Sequence, residues 1–142
     1  MSIVKNDLYD YYGLSIYQDE DNFKFSLDSI LLAEFVDNKS MDSKIVDLCT
    51  GNAPVPLILS TKYINKIYGV ELQESIANLA IRSVEDNNLK NRIEIINDNI
   101  RNVSKYFEAE SIDIVTCNPP YFKFFEDNSL INTIIASLFI LE

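Results

Sequence analysis

Residues 44–72, "KIVDLCTGNAPVPLILSTKYINKIYGVEL", decide the fold. The mostly apolar run over 44–49 predicts a strand, the turn around Gly51 leads into a short helix over 54–63, and residues 66–72 predict a second strand. Two strands joined through a helix form a βαβ unit, in which the strands run parallel. This stretch therefore predicts an α/β fold.

The same alternation continues along the chain. Residues 73–88 predict an amphipathic helix, because their apolar side chains recur at a spacing that places them on one face. Further strands are predicted over 92–97 and 112–117, and the polar segment between them has room for a helix near 100–107. We therefore predict a doubly wound, mainly parallel sheet of about four strands, incomplete for its class, whose ligands bind beyond the carboxyl ends of the strands.

Simpler patterns flank this sheet. Before it, residues 14–19 predict a short strand and residues 26–36 a helix capped by Ser26. We divide the chain into an N-terminal segment (1–43), a core (44–122) and a C-terminal tail (123–142). The apolar stripe of the first helix comprises Leu27, Ile30, Leu31 and residues 33–35, and the tail predicts a helix with Leu130, Ile131, Ile134, Ile135, Leu138 and Phe139 on one face.

Composition limits the possible classes of function. With 142 residues, of which 47% are apolar, the chain can bury one core. Its net charge of −10 argues against a broad basic face for nucleic acid, and the absence of histidine excludes a histidine-based triad or zinc site. There is no run of ~18 apolar residues and the N-terminus is charged, so we expect a cytoplasmic protein with two reduced thiols and no contact with a membrane.

Polar residues follow three of the predicted strands. Gly51 would let the backbone approach a ligand, although many ordinary βα turns also contain one glycine. Glu71 follows Gly51 by 20 residues, the distance at which doubly wound folds accept hydrogen bonds from a ribose; a solvent-exposed glutamate is the alternative. Asp98 could accept a bond from an adenine amino group, but Asp and Asn are also common turn residues.

The fourth strand ends in Asn118-Pro119-Pro120-Tyr121. A planar amino nitrogen is a poor nucleophile, and accepting both of its N–H bonds favours a more reactive, pyramidal nitrogen. The Asn118 side-chain oxygen and the Pro119 carbonyl can supply these acceptors, which the two prolines would hold in place. Tyr121 offers a face for a flipped base. A turn made from common turn residues is the alternative interpretation.

These elements resemble a family. "DLCTGNAPVP", "YGVEL", "NDN" and "NPPY", in this order, resemble the Rossmann-like S-adenosylmethionine-dependent methyltransferases that modify exocyclic amino groups. The N-terminal "YQDEDNFKFSLDSILLAEFV" is similar to the entry segment of the small-domain methyltransferases, which include the tRNA(Val) adenine N6-methyltransferase of bacteria. The resemblance covers about residues 14–122.

The resemblance implies a cofactor, S-adenosylmethionine, and in-line transfer of its methyl group without a metal. It implies that Asp47 and Gly51 contact the methionine end of the cofactor, that Glu71 holds its ribose and that Asp98 meets its adenine. It places Asn118 to Tyr121 in the catalytic site. The other residues assigned to the cofactor site are Phe25, Ser26, Asp28, Cys49, Asn52, Leu72 and Asn99.

The chain departs from the family at two places. Cys49 and Ala53 stand where the family usually has glycine, and Cys49 and Cys117 should lie close together because they end neighbouring strands. After Phe122, which follows the motif, only 20 residues remain, where the family continues with further strands. We therefore expect a truncated or frameshifted chain, with an exposed sheet edge that favours self-association.

Three functions follow from these patterns. The first is methylation of adenine N6 in tRNA, which the N-terminal segment favours. The second is methylation of a protein glutamine amide, which the same motif would serve and the acidic charge favours. The third is a fragment that binds the cofactor or a partner chain without turnover.

Overall fold

The computed structural model describes residues 1–8, 11, 13–21, 25–37 and 40–119, and these contain an antiparallel hairpin and a four-stranded parallel sheet. The elements are β1 (Ile3–Asp7), β2 (Ser15–Asp19), α1 (Leu27–Phe35), β3 (Ile45–Leu48), α2 (Pro54–Leu59), β4 (Ile67–Glu71), α3 (Glu74–Asp86), β5 (Ile93–Asn97), a 3₁₀ turn (Ile100–Lys105) and β6 (Ile114–Cys117).

The parallel sheet has the order β5-β4-β3-β6, which confirms the predicted α/β fold. From β3 the chain builds outward through β4 to β5, and it then returns to the other side of β3 to form β6. The order therefore reverses at β3, and the carboxyl ends of β3, β4 and β6 flank the crevice where such folds bind ligands.

The core lies on both faces of this sheet. On one face Ile45 and Ile67 pack with the three residues Leu57, Ile58 and Leu59 of α2, all fully buried. On the other face Val46 and Leu48 are the central members of a smaller cluster that includes Phe107. Every residue of β3 is buried, as expected for the central strand of a sheet covered on both faces.

The first helix corrects the sequence analysis. Leu27, Leu31 and Phe35 were predicted to lie on its buried face, but they are 67%, 56% and 84% exposed. Ser29 and Ala33 are buried instead, on the side of the helix that packs near α2. Small side chains let two helices approach closely, and a helix that is apolar on several sides has no unique face in its sequence pattern.

Two other elements differ from their predicted extent. α2 ends at Leu59 rather than near residue 63, because the hydroxyls of Ser60 and Thr61 donate to the carbonyls of Leu57 and Ile58 at 2.6 and 2.7 Å and close a turn. β1 was not predicted, since its side chains are largely exposed and carry little apolar signal. The polar segment after β5 forms a 3₁₀ turn.

Several predictions concern residues outside the described part of the chain, or features that it does not test. The tail helix over 123–142 and the catalytic residues Pro120 and Tyr121 lie outside them. Among the described strands β6 pairs with β3 alone, so self-association through its other edge stays a prediction, as do the three segment boundaries. None of the described helices is long and apolar enough to cross a membrane.

Candidate active site

The loop that follows β3, residues 49–53, has an unusual backbone. Cys49, Gly51 and Ala53 all have positive φ angles, of 56°, 61° and 69°. For a residue with a side chain this conformation costs roughly 1–2 kcal/mol. Cys49 and Ala53, which stand where the family usually has glycine, therefore keep a glycine-like conformation in spite of their side chains. The loop keeps its backbone path at an energetic cost.

Glu71 anchors this loop from the end of β4. Its Oε2 accepts the Gly51 N–H at 2.9 Å, and its Oε1 accepts the Gln73 N–H at 2.9 Å. The side chain is only 8% exposed. A carboxylate has about four lone-pair sites, so these bonds leave acceptor capacity for the hydroxyls of a ligand. The predicted pairing of Gly51 with Glu71 is thus a direct hydrogen bond in the structure.

Asp47 lies beneath the loop and is 2% exposed. Its two carboxylate oxygens accept the hydroxyls of Thr50 and Thr116 at 2.6 and 2.7 Å. Burial raises the pKa of Asp47 from 3.8 to about 7; the two hydroxyl donors lower this pKa, and the nearby Glu71 carboxylate raises it. Asp47 can therefore gain or lose its proton near neutral pH.

Gly69 makes room for this arrangement. It lies in β4, and a Cβ atom built there would come within 2.9 Å of both Oγ1 and Cγ2 of Thr50. That is closer than real Cβ atoms come to other heavy atoms. The missing side chain therefore lets Thr50 reach Asp47.

Asp98, at the end of β5, is held within its own turn. It accepts bonds from the Tyr106 hydroxyl at 2.5 Å, the Asn102 amide at 2.7 Å and the Asn99 N–H at 2.6 Å. These three bonds lower the pKa of Asp98 to about 2. Its role at a cofactor adenine stays a prediction, and any such contact would share a carboxylate that already accepts three bonds.

Asn118 directly follows β6, and its Nδ2 donates to Ser29 Oγ at 3.2 Å. Ser29 belongs to the buried side of α1, so the N-terminal segment reaches the predicted catalytic residue. Because Nδ2 is the donor, Oδ1 is the atom of Asn118 that can accept an N–H bond from a substrate.

The two cysteines are neighbours, as predicted. Leu48 pairs with Cys117 in the sheet, and Cys49 follows Leu48 directly. A hydrogen bond from the Cys117 thiol lowers the pKa of Cys49, and the same bond raises the pKa of Cys117. Both thiols are free.

The remaining predicted cofactor residues lie at this edge or near it. Phe25 is partly buried, whereas Ser26 and Asp28, at the start of α1, are exposed. Leu72 is 64% exposed beside Glu71, and Asn99 accepts the Arg101 N–H at 3.0 Å. Asn52 is fully buried, and its amide donates to the Tyr17 carbonyl at 2.8 Å.

Sequence reasoning missed Thr50, Thr116 and Ser29. Each one positions a predicted residue: the threonines hold Asp47, and Ser29 holds Asn118. The only signal for Thr50 is its place in the loop motif, and Thr116 and Ser29 carry none, since Thr116 sits in an apolar strand and Ser29 in a helix.

The residues of this edge suit the cofactor that the sequence predicts. S-adenosylmethionine carries a cationic sulfonium on C5′ of a ribose and an amino group at the end of its methionine chain. Glu71, at the end of β4, keeps acceptor capacity for the ribose hydroxyls. Both oxygens of the buried Asp47 accept threonine hydroxyls, so its contact with the methionine end stays a prediction. The loop over 49–53, with its three positive φ angles, presents backbone atoms rather than large side chains at the carboxyl end of β3. Among the described residues no cluster of three or more Cys, Asp or Glu could hold a metal ion.

A Rossmann-like sheet with Gly51 in the loop after β3, Glu71 at the end of β4 and Asn118-Pro119 after β6 is typical of the S-adenosylmethionine-dependent methyltransferases, and the comparisons agree. The sequence model of the methyltransferase small domain matches residues 24–139. The chain belongs to the methyltransferase small domain family. S-adenosylmethionine, the predicted cofactor, is the cofactor of this family and fold.

Similar sequences carry a more specific name. The chain is 33% identical over 110 residues to a tRNA1(Val) (adenine(37)-N6)-methyltransferase of Haemophilus influenzae, covering 76% of this chain and 47% of that protein. It is 25% identical over 121 residues to a protein of the same name from Bacteroides thetaiotaomicron, covering 84% and 49%. The chain thus spans about half the length of the curated relatives it matches.

Solved structures confirm the fold. A putative transferase of Pyrococcus horikoshii superposes with a TM-score of 0.74 at 13% identity, covering 96% of this chain and 48% of that one. TrmK of M. capricolum, solved with S-adenosylhomocysteine, superposes with a TM-score of 0.60 at 23% identity, covering 80% and 46%.

Proposed function

We propose that this chain takes part in the transfer of a methyl group from S-adenosylmethionine to N6 of an adenine in tRNA. The observation that carries the proposal is the position of Asn118. It follows β6, the strand beside β3, so an acceptor amide adjoins the loop proposed to hold the cofactor. The names of the relatives from H. influenzae and B. thetaiotaomicron support tRNA adenine as the substrate.

In this proposal the residues of the chain bind and orient the reactants. When bound, S-adenosylmethionine supplies an electrophilic methyl group on a sulfonium. Glu71 accepts the ribose hydroxyls, and the loop over 49–53 holds the methionine end. Asn118 Oδ1 and the Pro119 carbonyl accept the two N–H bonds of the target amino group, which directs its lone pair towards the methyl.

Charge favours a second candidate, methylation of a protein glutamine amide. The net charge is −10, and Lys5, Lys62, Lys66 and Lys90 each lie in an ion pair with a carboxylate. A tRNA needs cations to neutralise its phosphates, whereas a peptide amide does not. The acceptor chemistry at Asn118 is the same for both substrates.

One assay separates the candidates. The chain is incubated with methyl-labelled S-adenosylmethionine and either bulk tRNA or a glutamine-containing peptide of the release-factor type. Label in N6-methyladenine of tRNA is the expected result, and label in the peptide alone would contradict the proposal. Asn118→Ala should abolish transfer, whereas Asn91→Ala, which removes the same group from an exposed turn, should not.

A second measurement, combined with the transfer assay, tests the fragment hypothesis. Calorimetric titration with S-adenosylhomocysteine measures cofactor binding without turnover. Saturable binding with no transfer to either substrate would favour a non-catalytic, cofactor-binding chain.

A further inference from the structure

The β1–β2 hairpin is fastened to the core by side chains rather than by a further strand. Along the outer edge of β2, Asn87 bonds both the N–H and the carbonyl of Ser15, at 2.9 and 2.6 Å. Two residues further on, Ser83 Oγ accepts the Tyr17 N–H at 2.8 Å and Asn52 Nδ2 donates to the Tyr17 carbonyl at 2.8 Å. Alternate residues of a strand direct their backbone groups to the same edge, which explains this two-residue repeat.

Three of these bonds come from α3 and from Asn87, the residue that directly follows it, but the fourth comes from the loop at the proposed cofactor site. Asn52 lies between Gly51 and Ala53, which both have positive φ. Rotation of either residue towards an ordinary conformation would carry the Asn52 amide away from Tyr17. The bond to the hairpin therefore restrains the same backbone angles that shape the loop.

The burial of Asn52 also argues that it serves the hairpin. Its side chain is fully buried, and among the described residues its Oδ1 has no hydrogen-bond partner. An unpaired buried amide oxygen costs free energy, so the favourable contribution of Asn52 has to come from the bond that its Nδ2 donates. This bond closes the edge of β2.

We propose that Asn52 is a positioning residue, which ties the loop over 49–53 to the β1–β2 hairpin so that tight cofactor binding requires a docked hairpin. The second half of this statement rests on the proposed function, because it assumes that the loop holds the cofactor. The first half concerns the ligand-free protein alone.

The test combines hydrogen exchange of the full ligand-free chain with calorimetric titration by S-adenosylhomocysteine. The variants are Asn52→Ala, Ser83→Ala and, as a matched control, Asn78→Ala, which removes an amide from an exposed position of α3. We expect the backbone amides of residues 15–17 to exchange at least tenfold faster in the first two variants than in the control. We expect the Kd to rise at least tenfold in Asn52→Ala, and also to rise in Ser83→Ala, although Ser83 lies outside the loop.

The outcomes separate the two halves. Unchanged exchange of the hairpin amides in Asn52→Ala would overturn the tie, whether or not the wild type binds. Faster exchange with an unchanged Kd would overturn the requirement for a docked hairpin. Faster exchange in a protein whose wild type does not bind would uphold the tie and overturn the proposed function. If Asn52→Ala does not fold, Ser83→Ala decides. Loosening the hairpin from α3 should then also speed the exchange of the backbone amides of the loop over 49–53 and raise the Kd; unchanged exchange in the loop would overturn the tie, and an unchanged Kd would overturn the requirement for a docked hairpin.

Discussion

Replacing Asp47 by asparagine should remove a pH dependence of stability that the fold creates. Burial raises the pKa of Asp47 from 3.8 to about 7. Between these two values the folded state holds a proton on Asp47 that the unfolded state has lost. The unfolded state then binds fewer protons, so the free energy of unfolding falls as pH rises through this window and levels off above about pH 7.

The magnitude follows from the shift. One unit of pKa corresponds to about 1.4 kcal/mol, so the shift of about three units costs the fold about 4 kcal/mol above pH 7. Of this, about 2 to 3 kcal/mol is lost between pH 5 and pH 8. An amide does not titrate, and it can still bond both threonines, because a hydroxyl can either donate or accept. Asp47→Asn should therefore lack this loss.

The measurement is urea unfolding of wild type and Asp47→Asn at pH 5, 6, 7 and 8, followed by circular dichroism. The chain has no histidine, so no imidazole titrates in this range. The thiol of Cys49, whose pKa is lowered by its bond to Cys117, is present in both proteins, so only the part of its titration that depends on the charge of Asp47 remains in the difference. If the two stability curves run parallel within about 0.5 kcal/mol, Asp47 does not carry the raised pKa and the reasoning fails.

Three further predictions concern other residues of the candidate site. Ser29→Ala should lower the rate of methyl transfer about tenfold, because the Asn118 amide loses the bond that orients it, and it should leave the Kd for S-adenosylhomocysteine unchanged. Ser29→Thr should restore part of the rate. A rate in Ser29→Ala equal to that of the wild type would contradict the orienting role. Glu71→Ala should raise the Kd for S-adenosylhomocysteine at least tenfold in calorimetry, because the Gly51 N–H and the ribose both lose their acceptor. Replacing the exposed Glu74 by alanine should leave this Kd unchanged. A change below about threefold in Glu71→Ala would refute the assignment. Cys117→Ala should raise the pKa of Cys49, since the thiol that donates a hydrogen bond to it is lost. Alkylation of Cys49 by iodoacetamide at pH 8 should therefore be slower in this variant. An unchanged rate of alkylation would show that the bond is absent.

Local patterns were sufficient to predict the sheet. The apolar runs at β3, β4, β5 and β6 alternate with turns and helices, and this alternation needs no knowledge of distant contacts. The orientation of α1 was not predictable in this way, because Leu27, Leu31 and Phe35 are as apolar as the residues a core would bury. Only packing against α2 decides that Ser29 and Ala33 face inward.

The candidate site could likewise be predicted from the sequence only in part. The Gly51–Glu71 pair and the Asn118 motif could be predicted because motif spacing encodes them. The bonds that position these residues join positions far apart in sequence: Tyr17 to Asn52, Asp47 to Thr116 and Ser29 to Asn118, at separations of 35, 69 and 89 residues. A single sequence holds no pattern that pairs such positions, so these contacts emerged only from the fold.

Gly69 has a consequence for how such sequences can change over evolutionary time. Its missing side chain matters because Thr50 occupies the space, with Ile95 Cδ1 beside it at 3.1 Å from where a Cβ would lie, and Thr50 bonds the buried Asp47 carboxylate. Alanine at 69 would need residue 50 to lose its hydroxyl and methyl and Ile95 to shift by a few tenths of an ångström, but the change at residue 50 would take away one of the two donors to the buried Asp47 carboxylate. Substitutions at positions 50, 69 and 116 should therefore be accepted only together with a substitution at position 47. One buried acid thus limits which residues a loop and two strands can accept.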